Sequence, residues 1–378
     1  MVKTANNDSI RIEPKRLKAV LKDLVDIYSP SGKEEEIVDY VYKYLKRQGL
    51  AVTKQPIDEH RYNLIVFPEE KNEVELCFIG HLDTVTAYDL DHFSFDEDGD
   101  TVSGLGIADM KAGCAAMIEA FTVLANIRDS ISSVGLALVV DEEEDNKGAV
   151  TLVNEYSFPW AVVGEPTDLA PCLGHYSYLE VLLRTRGKRA HSAMPELGQN
   201  AIENMLKLLL KVTEYTALKS PELVYNIREL SGFPGGFVVP DACEAWLDLH
   251  MPPNSRIDVL KAEMEELLKA ADEKITDLDA NLRFEHTYSG YQISQKRPMA
   301  KKLKEVYRKL SLPWKPQEFR SHSDGSVLWA AGVDPFIIGP GCLEVAHTPE
   351  ESVQLNQVIQ AAQIYLQFAL SIDSESSP

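Results

Sequence analysis

Four short apolar runs, each cut off by a polar or glycine-bearing cluster, constrain this chain more than any other feature. Val74–Ile79 runs into GHLDTV, Val134–Val140 into DEEED, Ala161–Val163 into GEPTD and Phe336–Ile338 into GPG. A run that is apolar at successive positions lacks the alternation of a half-wet strand and reads as a strand covered on both faces. That pattern belongs to an α/β domain with a mainly parallel mixed sheet and helices on both faces. Such sheets bind ligands in a crevice beyond the carboxyl ends of their strands. The polar clusters of four separate strands are therefore expected to converge.

The remaining texture fits the same plan. Two helices are expected at the start, Pro14–Tyr28 and Lys33–Gln48. The second opens on Ser31 and Glu34 in the spacing of a capping box and stops at Gly49. Asn63–Phe67 is a further strand candidate. Between Tyr178 and His286 the strands YLEVLLRTRGK, CEAWLDLHM and LRFEHTY lengthen and partly alternate, with helices expected at Asn200–Tyr215 and Ile257–Ala271. Strand, helix, two strands, helix, strand is the order of a ferredoxin-like α+β unit. The expected division is a catalytic domain in two parts, 1–177 and 289–378, with the inserted domain at 178–288; the catalytic domain resumes with a helix over Pro298–Leu310.

At 378 residues the chain has room for both domains. Its net charge of −21 argues against a nucleic-acid partner, which is held through an excess of Lys and Arg. The five cysteines are scattered without a C-x-x-C pair, which fits buried thiols better than a thiolate zinc site or a disulfide framework. Gln360, Gln363 and Gln367 break the most apolar helix candidate, so no membrane span is expected. The opening residues lack the apolar core of a signal peptide, and the location expected is cytoplasmic.

The polar residues after the strands are His81, Asp83, Asp109, Glu142, Glu143, Glu144, Glu165 and His347. Imidazole and carboxylate are the ligands zinc takes in hydrolytic sites. Two divalent ions held together need a shared ligand, and a carboxylate with two oxygens serves as one. Asp109 lies in the glycine-containing loop GLGIADMKAG that opens a long helix, where small residues let the backbone fold tightly.

GHLDTV, GLGIADMKAG, VVDEEEDNKGA, GEPTDL, RAHSAMPELGQNAI and GPGCLEVAHTPEE, in this order and spacing, resemble the dizinc aminoacylase and carboxypeptidase family. Acetylornithine deacetylase and succinyl-diaminopimelate desuccinylase are members, and the similarity spans roughly residues 15 to 370. The resemblance implies two divalent ions per chain, Zn2+ with Co2+ able to substitute. It implies His81 and Glu165 on one ion, Glu143 and His347 on the other, and Asp109 bridging. Asp83 would orient the His81 imidazole. Glu142 would be the general base that takes a proton from the attacking water and passes it to the leaving amine. Gly148 aligns with the family's glycine when Glu142 and Glu143 are the working pair, leaving Glu144 as a solvated extra. His191, in the inserted domain, would stabilise the oxyanion in a partner chain's site, which implies a homodimer through that domain.

His60, His92, His175, His250 and His286 read as structural or solvated. His322 and Asp324 are open between capping a helix and lining the substrate pocket. Desuccinylase-like members carry an arginine after SDG where this chain has Ser326, with Arg320 a candidate replacement. Many members carry an asparagine before VVP where this chain has Phe237, implying a more apolar pocket wall. The function expected is hydrolysis of an amide bond in a small N-acyl amino acid. An exopeptidase or dipeptidase acting on short peptides is the alternative within the class, and an inactive metal-dependent binding or scaffold protein the alternative outside it.

Overall fold

The apolar runs all become strands of one mixed sheet. The structure, a computed structural model, describes residues 11–68, 71–87, 93–127, 132–219, 222–273, 275 and 278–373. Up to the insertion the elements are α1 (Pro14–Asp26), α2 (Glu35–Arg47), β1 (Thr53–Pro56), β2 (Tyr62–Val66), β3 (Leu76–His81), β4 (Asp96–Asp98), β5 (Thr101–Ser103), α3 (Ala112–Ala125), β6 (Val134–Val139), α4 (Lys147–Glu155), β7 (Trp160–Val163) and β8 (Cys172–His175). The inserted elements are β9 (Ser177–Arg186), α5 (Ala201–Lys219), β10 (Val224–Phe233), β11 (Ala242–Met251), α6 (Ile257–Asp272) and β12 (Asp279–Tyr288). The chain closes with β13 (Tyr291–Gln292), α7 (Pro298–Lys309), β14 (Gln317–Phe319), α8 (Asp324–Ala330), β15 (Asp334–Ile337), β16 (Ser352–Gln354) and α9 (Leu355–Asp373).

Two compact units result. One holds the residues up to Leu173, Ile293–Phe319 and those from Ser323; the other holds Gly174–Gln292 and Arg320–His322. The first unit is built on the strand order β1-β2-β6-β3-β7-β15-β8. Its central strands β6, β3, β7 and β15 are mutually parallel, while the flanking pairs β1–β2, β2–β6 and β15–β8 are antiparallel. Every residue of β3, β6 and β7 is buried, as continuous apolar runs require. Helix α3 is buried from Ala112 to Leu124 and packs against β3, β6, α1 and α9, while α4 and α8 pack together over β6, β7 and β15. In the second unit the sheet order is β10-β11-β9-β12, and α5 and α6 cover one face over a core that includes Leu179, Val181, Leu247, Leu249 and Met205. This is the ferredoxin-like arrangement expected of the insertion.

Two details of the opening helices depart from expectation. Helix α1 ends at Asp26 because Ile27 is already extended. Ser31 and Glu34 form no capping box: α2 begins at Glu35, and Glu34 stands at its N-cap without a side-chain bond. The Ser31 hydroxyl instead donates to Asp83 Oδ2 at 2.7 Å, and the buried Glu34 carboxylate lies 3.4 Å from Arg61 Nη1. Both side chains have charged partners, which outbid a neutral backbone N–H.

Three glycines let the central elements close up behind the strand ends. A Cβ on Gly113 of α3 would stand 2.2 Å from the Gly164 carbonyl oxygen, and one on Gly339 would meet the same oxygen at 2.2 Å. Gly164 immediately precedes Glu165, so this contact fixes where that carboxylate leaves the sheet. In an open helix Gly→Ala stabilises by roughly 0.5–1 kcal/mol. At Gly113 the sign should reverse, with Gly113→Ala costing about 1–3 kcal/mol through overpacking. Urea unfolding of the variant measures this, and a stability gain would show that α3 and β7 are not in hard contact.

Candidate metal centre

The four parallel strands deliver their clusters to one side of the sheet. His81 is the last residue of β3, Glu142 and Glu143 follow β6, Glu165 follows β7, and His347 lies in the segment after β15. Asp109 enters from a tight irregular turn over Ile107–Lys111, with φ −116° and ψ 93° at Asp109 itself, just before α3.

The geometry centres on Asp109. Its Oδ1 lies 3.2 Å from His81 Nε2, and its Oδ2 lies 3.4 Å from His347 Nε2. Each carboxylate oxygen thus faces a different imidazole. Around His81 Nε2 stand Glu165 Oε1 at 3.7 Å and Glu142 Oε2 at 3.8 Å; His347 Nε2 lies 3.1 Å from Glu143 Oε1. His81 Nδ1 lies 3.0 Å from the Asp83 carbonyl oxygen and donates to it, which makes Nε2 the nitrogen that faces the carboxylates. The Asp83 carboxylate is 3.7 Å from the ring and accepts instead from Ser31 Oγ and from the backbone N–H groups of Glu142 (3.2 Å) and Glu143 (3.1 Å). Glu144 is exposed, while Glu142 is buried and Glu143 half-buried.

This crowding perturbs the groups that face one another. Burial lifts the Glu142 carboxyl well above the carboxylate range, His81 opposes the rise, and the charges of Asp324, Glu143 and Asp109 add to it. Burial and the Asp109 charge do the same to Glu165, and burial raises Glu143 against its hydrogen bond with His347. Burial would raise Asp109 too, but hydrogen bonds with His347 and His81 hold it well below its ordinary value. Burial disfavours a charged His81, yet Asp109 and the surrounding carboxylates raise its pKa well above the ordinary imidazole value.

The donor set fits divalent ions. His81, Glu142 and Glu165 bring ligand atoms within 4.8 Å of one another, and so do His81, Asp109 and Glu143. Glu165 Oε1 is buried without a hydrogen-bond partner. Buried carboxylates gathered round two imidazoles need cations to balance them, and imidazole with carboxylate is a donor set for zinc and neighbouring metals. Cys114 is no ligand: its Sγ donates to the His81 carbonyl at 3.0 Å.

Other histidines lie elsewhere. His175 is buried against Tyr291, and burial lowers it to about 4. His322 stacks on Tyr288 with ring centroids 4.3 Å apart in the second unit, and burial lowers it to about 3. His250 packs at a tilt against Tyr178 and is also lowered by burial. His92 lies outside the described residues. Asp324 sits in the first unit at the start of α8, where Ser323 is the N-cap and accepts from the Gly325 N–H at 3.1 Å. The Asn146 side chain donates to Asp324 Oδ1 at 3.1 Å, and burial lifts Asp324 to about 7. His191 belongs to the second unit; its Nδ1 accepts the Ala193 N–H at 3.1 Å, so the neutral ring carries its proton on Nε2.

Two supports of the centre leave no mark in the sequence. Arg61 bonds Asp58 at 2.6 Å and also pairs with Asp141, whose φ of 70° turns the chain out of β6. Glu351 accepts three backbone N–H groups from the turn that carries Asp109. An arginine or glutamate in a polar loop gives no periodic signal, so only proximity reveals either one.

Residues 77–371 match peptidase family M20/M25/M40. The chain belongs to this family. It is 27% identical over 373 residues to a probable carboxypeptidase of Aspergillus terreus, covering 91% of this chain and 83% of that one. To the acetylornithine deacetylase of Aliivibrio salmonicida it is 25% identical over 333 residues, covering 84% and 86%. Its fold matches the crystal structure of a tripeptidase from Staphylococcus aureus with a TM-score of 0.78 at 21% identity, covering 96% of this chain and 98% of that one. The M20 membership and the cluster together make the protein a metal-dependent hydrolase with a centre suited to two ions.

The cluster sets a pH dependence for the metal-free M20 chain. Glu142, Glu143 and Glu165 titrate above the ordinary 4.5, and His81 above 6.5, so the folded state holds protons that the unfolded chain releases. Stability from such groups is full below the unfolded pKa and is lost as pH rises through the folded one. Asp109 runs the other way, but only below its ordinary 3.8. With chelator present, the urea midpoint should fall between about pH 5 and about pH 8, and divalent ions should flatten the fall. A midpoint that rises over this window without metal would contradict the electrostatics described.

Proposed function

We propose that this M20 protein hydrolyses the amide bond of an N-acyl amino acid with two ions, most simply Zn2+, bound per chain. The observation that carries this reading is Asp109, whose two oxygens face two different histidines at 3.2 and 3.4 Å, with Glu142 alongside. His81, Asp109 and Glu165 would hold one ion; Asp109, Glu143 and His347 would hold the other. When bound, the ions supply Lewis-acid polarisation of the scissile carbonyl and acidify the attacking water.

The chain's own residues do the rest. Glu142 accepts the proton that water gives up on attacking the carbonyl carbon. It then returns that proton to the amide nitrogen as the C–N bond breaks, yielding a carboxylic acid and an amine. A buried carboxylate beside the attacking water can both take the proton and deliver it. Asp83 keeps the His81 ring and the Glu142–Glu143 turn in register. His191, with its proton on Nε2, donates to the developing oxyanion. A cytoplasmic location agrees with this chemistry, and no helix among the described residues is long and apolar enough to cross a membrane.

Exopeptidase action is the second reading, favoured by the relatives named as probable carboxypeptidases. A peptide's C-terminal residue is itself an N-acyl amino acid, so the two readings differ in the acyl group. Phe237, 87% exposed on the loop hydrogen-bonded to the His191 segment, supports an apolar acyl group or side chain. Hydrolysis rates on N-acetyl, N-succinyl and dipeptide substrates separate the readings. No turnover on any of them, with metal bound, would favour a binding protein.

The inserted unit, we propose, also forms a homodimer. Leu206, Leu210 and Leu218 are exposed at four- and eight-residue spacings on α5, and β10 is an edge strand with exposed Val224, Leu230 and Phe233. A monomer gains nothing from such surface, whereas a pairing interface does.

Two tests follow from the roles. Glu142→Gln should lower activity by roughly 10²–10⁴ while both ions stay, because size is kept and only the proton acceptor is lost. Glu143→Gln should instead release one ion, as metal analysis after dialysis would show; the reverse pattern would interchange the two roles. If His191 serves a partner's site, Glu142→Ala and His191→Ala homodimers should both be nearly inactive. Refolded together they should recover about a quarter of wild-type activity, since half the dimers are mixed and each has one intact site. No recovery despite mixed dimers would place His191 in its own chain's site or in none.

A further inference from the structure

The turn that presents Asp109 cannot support itself. Gly106 has φ +70°, and a Cβ there would lie 2.2 Å from Thr84 Cγ2. Asp109 and Met110 leave helical φ/ψ. Three N–H groups in this turn consequently have neither helix nor ladder partners, and they point at one buried side chain. Glu351, 4% exposed, accepts Gly106 N–H on Oε2 at 2.8 Å and accepts Ala108 and Asp109 N–H on Oε1 at 2.8 and 3.1 Å.

The same residue is tied to the His347 segment. Its N–H donates to the Thr348 carbonyl at 3.2 Å, and the Thr348 hydroxyl donates to the Val345 carbonyl at 2.8 Å. Immediately after it, β16 pairs antiparallel with β5, Ser352 opposite Ser103, and the Gly104 N–H reaches the Glu351 carbonyl at 3.4 Å. One side chain therefore joins two segments far apart in sequence, one carrying Asp109 and the other His347.

We propose that Glu351 is a positioning residue that sets the Asp109–His347 geometry and so determines the affinity of the ion those two share. The inference rests on the two-ion reading above. Glu351 belongs to neither ligand group and acts through backbone amides. Its influence should be unequal between the two ions. His81 is fixed in the parallel ladder at the end of β3 and Glu165 stands two residues beyond β7, so their ion depends on Glu351 only through Asp109. The other ion depends on it through both Asp109 and His347.

Glu351→Gln keeps the volume but sets an amide NH2 against a backbone donor, and Glu351→Asp keeps the charge but withdraws it. Metal-free wild type and both variants are titrated with Co2+, following uptake by calorimetry and by the visible absorption of the bound ion. Urea unfolding without metal serves as the control for folding. One of the two binding events should lose roughly 10–100-fold in affinity in both variants, the range for altered outer contacts to a metal site, while the other moves much less. A merely structural role would lower the urea midpoint and leave the ratio of the two affinities unchanged. Wild-type affinities at both events in either folded variant, or an equal loss at both, would overturn the proposal; if Glu351→Gln does not fold, Glu351→Asp decides. A wild-type chain that takes up a single ion would instead overturn the two-ion reading, and the inference with it.

Discussion

Asp83 carries the interaction on which the rest of the centre depends. Its carbonyl accepts from His81 Nδ1, and its carboxylate accepts the Ser31 hydroxyl and the successive N–H groups of Glu142 and Glu143. Two distant segments of the chain are thereby fastened to the end of β3 by one residue with no exposed surface. The three donors take the place that water would otherwise occupy around a buried carboxylate. Without them the charge would be unaffordable, and the residues it organises would lose their common reference. The tautomer of His81 follows from the same contact, because the nitrogen that donates to Asp83 is not the one left for a cation.

Neighbouring strand residues point to opposite faces, so Glu142 and Glu143 can serve one centre only where the strand has ended. The structure shows how it ends. Asp141 and Asn146 both take positive φ, 70° and 52°, and the Asn146 N–H returns to the Asp141 carbonyl at 2.6 Å. Such φ values strain residues other than glycine, so something must hold them. Arg61 pairs with the Asp141 carboxylate on one side, and the Asn146 side chain donates to Asp324 on the other. Desolvation works against the Arg61 charge, but hydrogen bonds to Asp141 and Asp58 raise its pKa from an already high value, so the guanidinium stays charged.

What could be read in advance divides along physical lines. Burial on both faces leaves a continuous apolar signature, so β3, β6, β7 and β15 were visible as strands and their ends as a meeting place. The change to longer, partly alternating strands marked the inserted α+β unit, whose β11 alternates between buried and half-buried residues along its length. The identities of His81, Asp109, Glu165 and His347 were suggestive because imidazole and carboxylate at strand ends have few reasons to cluster. Contacts between loops left no such trace. Ser31 and Glu34 have the spacing of a helix cap, yet each is drawn to a charged partner, Asp83 and Arg61, that local pattern cannot reveal. Glu351 and Arg61 follow the same logic, since their partners lie 242 and 80 residues away along the chain.

The two ion seats that this scaffold would form differ in how far they are built beforehand. His81 and Glu165 are buried and leave strands β3 and β7, which pair with each other and, on their outer sides, with β6 and β15. Glu143 is half-buried and His347 exposed, and both ride on turns. A preorganised seat loses little freedom when it is filled, whereas a seat on turns must order its ligands as it binds. The structure compensates by fastening those turns from behind, the Glu143 turn through Asp83 and the His347 segment through Glu351. Asp109, which both seats would share, is fastened most heavily, with Glu351 holding its backbone and a histidine facing each of its oxygens. The weight of support thus follows the need for it: ladder hydrogen bonds suffice for ligands on strands, and buried carboxylates are spent where the ladder stops.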